Sequence, residues 1–280
     1  MFSRRQVHRR TLLAAAVSLG LALSLNASAK DPKDIVIGTS AGPYADQIKL
    51  GIKPILEKQG YKVKLVEFND YIQPNFALAE GSLDANVFQH IVYLNKFAAE
   101  HKLALTDLVT IPTAPIAIYS KRHKSLAAVK EGSTVALPND PTNQARALVL
   151  LDQLGWVKLR DKVDPIRASE KDIAANLKKI KLVPLEAAQL PRSLQDTDFS
   201  FVNGNYALAS GLKLSEALIT EKISANYVNL VAVRTRDKNK QFAKDIAAAY
   251  RSREFLEVTN KHFAGYAKTD YQLALQGAAQ

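Results

Sequence analysis

The chain of 280 residues contains no cysteine. That excludes disulfides, thiolate metal sites, a cysteine nucleophile and lipidation at an N-terminal cysteine, so an exported form must draw its stability from its core. Metal-ligand spacing is missing too. His90, His101, His123 and His262 stand isolated, with no His-x-x-x-His or His-Glu-x-x-His pattern. There is no Gly-rich phosphate loop, no internal repeat and no low-complexity linker. Neither a metal nor a cofactor is therefore expected. The apolar run Thr11–Leu25 falls short of the ~20 residues that a membrane span needs, and no later span follows.

What precedes and follows that run gives it a different meaning. Arg4, Arg5, Arg9 and Arg10 lie before it, and Ala27-Ser28-Ala29 after it is an Ala-x-Ala cleavage site. Residues 1–29 read as a secretory signal peptide, with Lys30 as the mature N-terminus. Neither arginine pair sits in a complete twin-arginine motif, so the general export route is expected. Removing 29 of the 280 residues leaves 251, and removing four arginines takes the formal charge from +11 to +7. The remaining lysines are scattered along helices and loops rather than clustered with aromatics, so nucleic acid is not an expected partner.

From Asp34 the chain alternates strand and helix. Strands are expected at Ile35–Thr39, Lys62–Phe68 and Leu83–Phe88. Helices are expected at Ala45–Gln59, Pro74–Glu80 and Tyr93–His101, the first two closed by Gly60 and Gly81. Leu108–Tyr119 is β-prone with Pro112 and Pro115 inside it. A second series has strands at Thr134–Leu137, Lys181–Leu185 and Phe199–Val202, and helices at Pro141–Leu154, Glu170–Leu177 and Ala187–Leu194. Val228–Val233 is a further strand, Lys240–His262 a long amphipathic helix, and the tail to Gln280 reads as weakly held. This order predicts an α/β protein built of right-handed βαβ units with parallel sheets. Two lobes are expected, one from residues 30–118 plus 230–280 and the other from 119–229, joined by crossings near 112–120 and 224–232. A ligand then belongs in the cleft between them, at the carboxyl ends of the strands.

The stretch from Thr134 to Leu151 shows how such a cleft is furnished. A short strand ends at Pro138, Asp140 is placed to cap a helix, and Pro141 takes the first helical position. A helix start seats anions, and Arg146 just beyond the first turn offers a forked partner for a carboxylate. Arg146 is expected to face the cleft and not a core. Tyr71, Phe88, His90, Asn203, Tyr206 and Asn229 also fall at strand ends. One competing pattern is Gly38-Thr-Ser-Ala-Gly42, a G-x-S-x-G match that would make Ser40 the nucleophile of an α/β hydrolase. It lies at the first strand, whereas that fold places several strands before its elbow.

Longer motifs carry a resemblance. Glu67-Phe-Asn-Asp-Tyr71, Pro74-Asn75, Gly81-Ser-Leu-Asp-Ala-Asn86 and Phe88-Gln-His90 resemble the first-lobe signature of the NlpA-type methionine-binding family, substrate-binding proteins of ATP-binding-cassette importers. Val135-Ala-Leu-Pro-Asn-Asp-Pro-Thr-Asn143 with Arg146-Ala-Leu148 resembles the second-lobe signature, and Val202-Asn203, Tyr206 and Tyr227-Val-Asn229 complete it. The resemblance implies a two-lobed periplasmic-binding-protein fold that closes on an amino acid. It implies ligand contacts at Tyr71, Phe88, His90, Arg146, Asn203 and Asn229, no enzymatic activity, and a membrane permease as partner. Members are commonly lipoproteins. With no cysteine after Ala29, this chain is expected to be a freely diffusing periplasmic monomer.

Overall fold

The structure, a computed structural model, describes residues 31–278, so the expected signal peptide and its cleavage point lie outside the described residues. The first series runs β1 (Asp34–Ser40), α1 (Pro43–Gln47), a π-helical turn (Ile48–Ile52), α2 (Lys53–Lys58), β2 (Lys62–Phe68), α3 (Gln73–Glu80), β3 (Ala85–His90), α4 (Ile91–His101) and β4 (Leu105–Thr110). The second comprises β5 (Ala117–Tyr119), β6 (Thr134–Pro138), α5 (Pro141–Gln153), β7 (Lys158–Leu159), β8 (Ile173–Ala175), β9 (Lys181–Leu185), α6 (Leu190–Ser193), β10 (Phe199–Val202), α7 (Gly204–Ala209) and β11 (Ile219–Thr220). The chain then returns through β12 (Asn229–Arg234), α8 (Gln241–Tyr250), α9 (Arg253–His262) and α10 (Asp270–Gly277).

These strands form two five-stranded sheets, ordered β2-β1-β3-β12-β4 and β11-β5-β10-β6-β9, and each sheet is the centre of one lobe. The chain passes between them twice, through residues 111–116 and 221–228. In the first lobe Ile35, Ile37, Val63 and Val231 pack on one face against Ile48, Leu56, Ile246 and Phe255, while Leu78, Leu83 and Leu94 cover the other. In the second, Val135, Leu137 and Phe201 meet Leu148, Leu151 and Trp156, with Leu190, Leu194 and Ala207 on the far side. Sheets covered on both faces explain why the central strands read as continuous apolar runs.

The sheets are mixed and not parallel throughout. β12 lies antiparallel to both β3 and β4, and β5 runs antiparallel to β10 and β11. Both exceptions arise at the crossings, because a strand that enters a lobe from its neighbour arrives from the cleft side. Three other expectations change. The helix expected over Glu170–Leu177 is a single 3₁₀ turn, Glu170–Asp172, followed by β8. There the Asp172 carboxylate accepts from both the backbone N–H and the hydroxyl of Ser169, and the Asn176 side chain bonds Ile180 at N–H and carbonyl. Such local bonds compete with a helical ladder. The long C-terminal helix is two, since the Ser252 hydroxyl accepts from Phe255 N–H and starts α9 anew. The tail is also held firmly. Ala267 exchanges two backbone hydrogen bonds with Thr113 in the first crossing, and Gln272, wholly buried, donates to the Thr259 hydroxyl.

Close approach at the crossings depends on one small residue. A Cβ on Gly204, the first residue of α7, would lie 2.5 Å from Ala114 Cβ and 2.6 Å from the Pro115 carbonyl oxygen. Gly204→Ala is expected to cost about 1–3 kcal/mol through overpacking, measured as a fall in melting temperature. Gly277→Ala, at the exposed end of α10 with nothing within 4 Å, should leave the melting temperature unchanged.

Candidate functional site

All six residues expected to touch a ligand converge on one cavity between the lobes. It is walled by Tyr71, Phe88, His90, Arg146, Asn203 and Asn229 together with Tyr44, Tyr93, Thr113, Asn143 and Asn205, and it encloses about 20 Å³ of free space. In this arrangement that is room for about one water, so the lobes stand closed around the site. The lobes meet around it. The Tyr71 hydroxyl donates to Asn205 Oδ1 at 2.7 Å, Asn205 Nδ2 donates to the Ser40 hydroxyl, and the Tyr206 hydroxyl donates to the Asn69 carbonyl.

One wall is aromatic. Tyr71 and Phe88 stack with ring centroids 5.6 Å apart, and Tyr93 stands edge-on to both at 6.1 and 6.0 Å. Tyr93 is placed by its own hydroxyl, which donates to the Tyr71 carbonyl, and by its position at the start of α4. His90 ends β3 and caps α4. Its Nδ1 accepts from Tyr93 N–H at 3.2 Å, so the proton sits on Nε2, which faces Asn143 Oδ1 at 3.4 Å. Burial, with a further push from the charge of Arg146, lowers the His90 pKa from 6.5 to about 3. The imidazole is a neutral wall.

The opposite wall is polar and rests on α5. Asp140 caps this helix as its sequence suggested, accepting from Asn143 N–H at 2.9 Å. It also accepts from the Thr142 hydroxyl and the Asn143 side chain. The anion seat at the helix start is thus filled by Asp140 itself. Arg146, one turn on, is buried and already paired, which corrects the expectation of an open fork. Its Nε donates to Glu221 Oε2 at 2.7 Å and its Nη2 donates to Glu221 Oε1, with side-chain exposures of 6% and 10%. Burial alone would lower the Arg146 pKa, but the charge and hydrogen bonds of Glu221 outweigh it and hold it above the ordinary value. The guanidinium also lies 4.9 Å from the centroid of the Tyr227 ring. Two amides complete this side. Asn203 Nδ2 donates to Asn143 Oδ1, while its buried Oδ1 has no partner among the described residues; Asn229 Nδ2 donates to the Phe88 carbonyl.

Sequence reasoning missed Glu221, Tyr44, Tyr93, Thr113 and Asn205. Asn143 and Tyr93 had signals nearby, one inside a quoted motif and one at a helix start. Glu221 had none, being a lone carboxylate 75 residues from its partner. The Ser40 alternative fails on geometry. Its side chain is wholly buried and accepts from Asn205, and among the described residues no histidine or carboxylate hydrogen-bonds its hydroxyl.

Known proteins share this fold. The sequence profile of the NlpA lipoprotein family matches residues 35–270. The D-methionine-binding lipoprotein MetQ of Salmonella typhi is 41% identical over 239 residues, covering 84% of this chain and 88% of that protein. Among solved structures, the methionine-binding protein MetQ superimposes with a TM-score of 0.81 at 39% identity, covering 85% of this chain and 99% of that one. A nutrient-binding protein from Burkholderia cenocepacia bound to methionine gives 0.80 at 41% identity, covering 84% and 99%. By profile, identity and superposition alike, the chain belongs to the NlpA lipoprotein family.

Proposed function

We propose that this protein is the substrate-binding component of an ATP-binding-cassette importer. It captures methionine, or a related amino acid or short methionine-containing peptide, in the cleft and delivers it to a membrane permease. The observation that carries this reading is the cavity itself, where an aromatic wall from one lobe faces a guanidinium from the other, in a chain whose solved relatives include one bound to methionine. Arg146 takes the α-carboxylate, and the unpartnered Asn203 Oδ1 accepts from the α-ammonium. Tyr71, Phe88 and His90 enclose the side chain, where each sulfur–aromatic contact is worth about 0.3–1.5 kcal/mol. Asn229, fixed by Phe88, closes the end of the cavity. Binding favours the closed arrangement, which is the shape a permease reads.

The same reading treats the protein as a non-enzymatic periplasmic monomer, exported by its first 29 residues, with no nucleic-acid partner. Its relatives are named lipoproteins, whereas its own sequence has no cysteine to acylate, so it diffuses freely. Residues 30–118 with 230–280 form one lobe and 119–229 the other, apart from the strand ends at the crossings.

Three outcomes test the site. In a thermal-shift panel of L- and D-amino acids and methionine dipeptides, methionine is expected to raise the melting temperature by mass action. Glutamate, lysine and glycine should do so far less, because a charged side chain would be desolvated among aromatic rings. Phe88→Ala should weaken methionine by about 1–3 kcal/mol; equal shifts from glutamate and methionine would refute the aromatic wall.

Arg146→Ala should abolish measurable binding and also lower stability. Removing one partner of a buried ion pair leaves Glu221 charged and alone, at a cost of about 3–5 kcal/mol. Urea unfolding of the ligand-free variant measures this, and a midpoint equal to that of the wild type would contradict it.

Acid should act through His90. Its folded pKa of about 3 lies below the unfolded 6.5, so between those values the unfolded chain binds a proton that the folded chain refuses. Stability present above pH 6.5 is therefore lost as the pH falls, at up to ~1.4 kcal/mol per unit. Between pH 6.5 and 5, where most carboxylates stay ionised, His90→Asn should show a flatter stability profile than the wild type.

A further inference from the structure

Among the described residues Arg146 is the only formally charged side chain in the wall of the cavity, and it does not stand alone. Glu221 lies behind it, outside the cavity lining, on the second crossing. Its Oε2 accepts from Arg146 Nε at 2.7 Å, and its Oε1 accepts from Arg146 Nη2 and, at 2.9 Å, from the backbone N–H of Ile116 on the first crossing. Both side chains are buried, so little solvent screens their charges. Two guanidinium nitrogens are spent on Glu221, leaving Nη1 without a hydrogen bond to any described residue. On the same wall the buried Asn203 Oδ1 is an acceptor with no donor among the described residues.

We infer that Glu221 is a specificity-determining residue: its carboxylate cancels the charge of Arg146, so the cavity selects a ligand of zero net charge carrying both an anionic and a cationic end. The inference rests on the amino-acid reading above and deepens it. An anion of the same size brings a carboxylate to a guanidinium that is already neutralised, and offers Asn203 Oδ1 at most a neutral donor, so a net negative charge is buried uncompensated. A zwitterion meets both groups and adds no net charge to a buried site. With Glu221 neutral, the cavity would carry one excess positive charge, and a ligand of net charge −1 would be the better complement.

Methionine and its hydroxy analogue, 2-hydroxy-4-(methylsulfanyl)butanoate, separate these cases, because the analogue replaces the ammonium with a hydroxyl and is otherwise alike. Calorimetric titration of the wild type should show methionine binding more tightly by about tenfold or more. In Glu221→Gln the affinity for methionine should fall while that for the analogue holds or rises, shrinking the preference by about tenfold or more. Glu221→Asp, which keeps the charge, should retain the wild-type preference. A purely structural role for Glu221 would weaken both ligands alike and leave their ratio unmoved, and that result would overturn the inference while sparing the methionine reading. So would a wild type that takes both ligands equally, a measurement that needs no variant to fold. A wild type that binds neither would remove the methionine reading and this inference together.

Discussion

A buried ion pair at the joint between two lobes is the constraint around which this molecule is arranged. Arg146 enters from α5 in the second lobe, Glu221 from one crossing, and the backbone of Ile116 from the other. Three segments distant in sequence therefore share one set of charge-assisted hydrogen bonds. A guanidinium this deep must be matched, since an unpaired buried charge costs several kcal/mol. The matching group could have been a ligand carboxylate. Because it is a protein carboxylate, the site stays charge-balanced when empty, and ligand binding need not supply the whole of the compensation.

The crossings explain the departures from a simple parallel architecture. A strand that returns to the first lobe at Asn229 comes from the cleft, and it inserts antiparallel between β3 and β4. This direction brings Asn229 opposite His90, at the cavity, in the ladder with β3. The mixed sheet is thus how a residue after the second crossing reaches the cavity. The C-terminal segment then clasps the first crossing through Thr113 and Ala267, tying the chain end to the joint. Two connections and a clasp at the joint are what a hinge-like opening of the cleft would turn on.

How much of this was legible in the sequence follows the range of the interactions involved. β2, β9 and β10 fall at the expected residues because their bounds are set by local alternation and apolar runs. The six cavity residues were named because each lies in a motif that resembles the NlpA-type family, in or close to a strand or helix that reaches the cleft. What escaped depends on pairing at a distance or on competition between neighbours. Strand direction has no periodic signal, so the antiparallel placement of β12 was invisible. Glu170–Leu177 carries a helical pattern, but Ser169 and Asn176 offer its backbone closer partners. Ser252 sits in an amphipathic run and breaks it by capping the helix that follows. Glu221 lies in a polar loop with nothing local to mark it.

Burial links these points to selectivity. The aromatic wall and the neutral His90 make the side-chain end of the cavity a place where charge is poorly tolerated. The balanced Arg146–Glu221 pair makes the other end polar without making it attractive to every anion. On the proposed reading, a ligand presents an apolar, polarisable tail to Tyr71 and Phe88 and separated donor and acceptor groups to Asn203 and Arg146. Any compound that satisfies only one end leaves the other with an unsatisfied polar atom or a desolvated charge. Selection therefore comes less from the strength of any contact than from the cost of leaving one unmade, and that cost exists only once the lobes have shut out water.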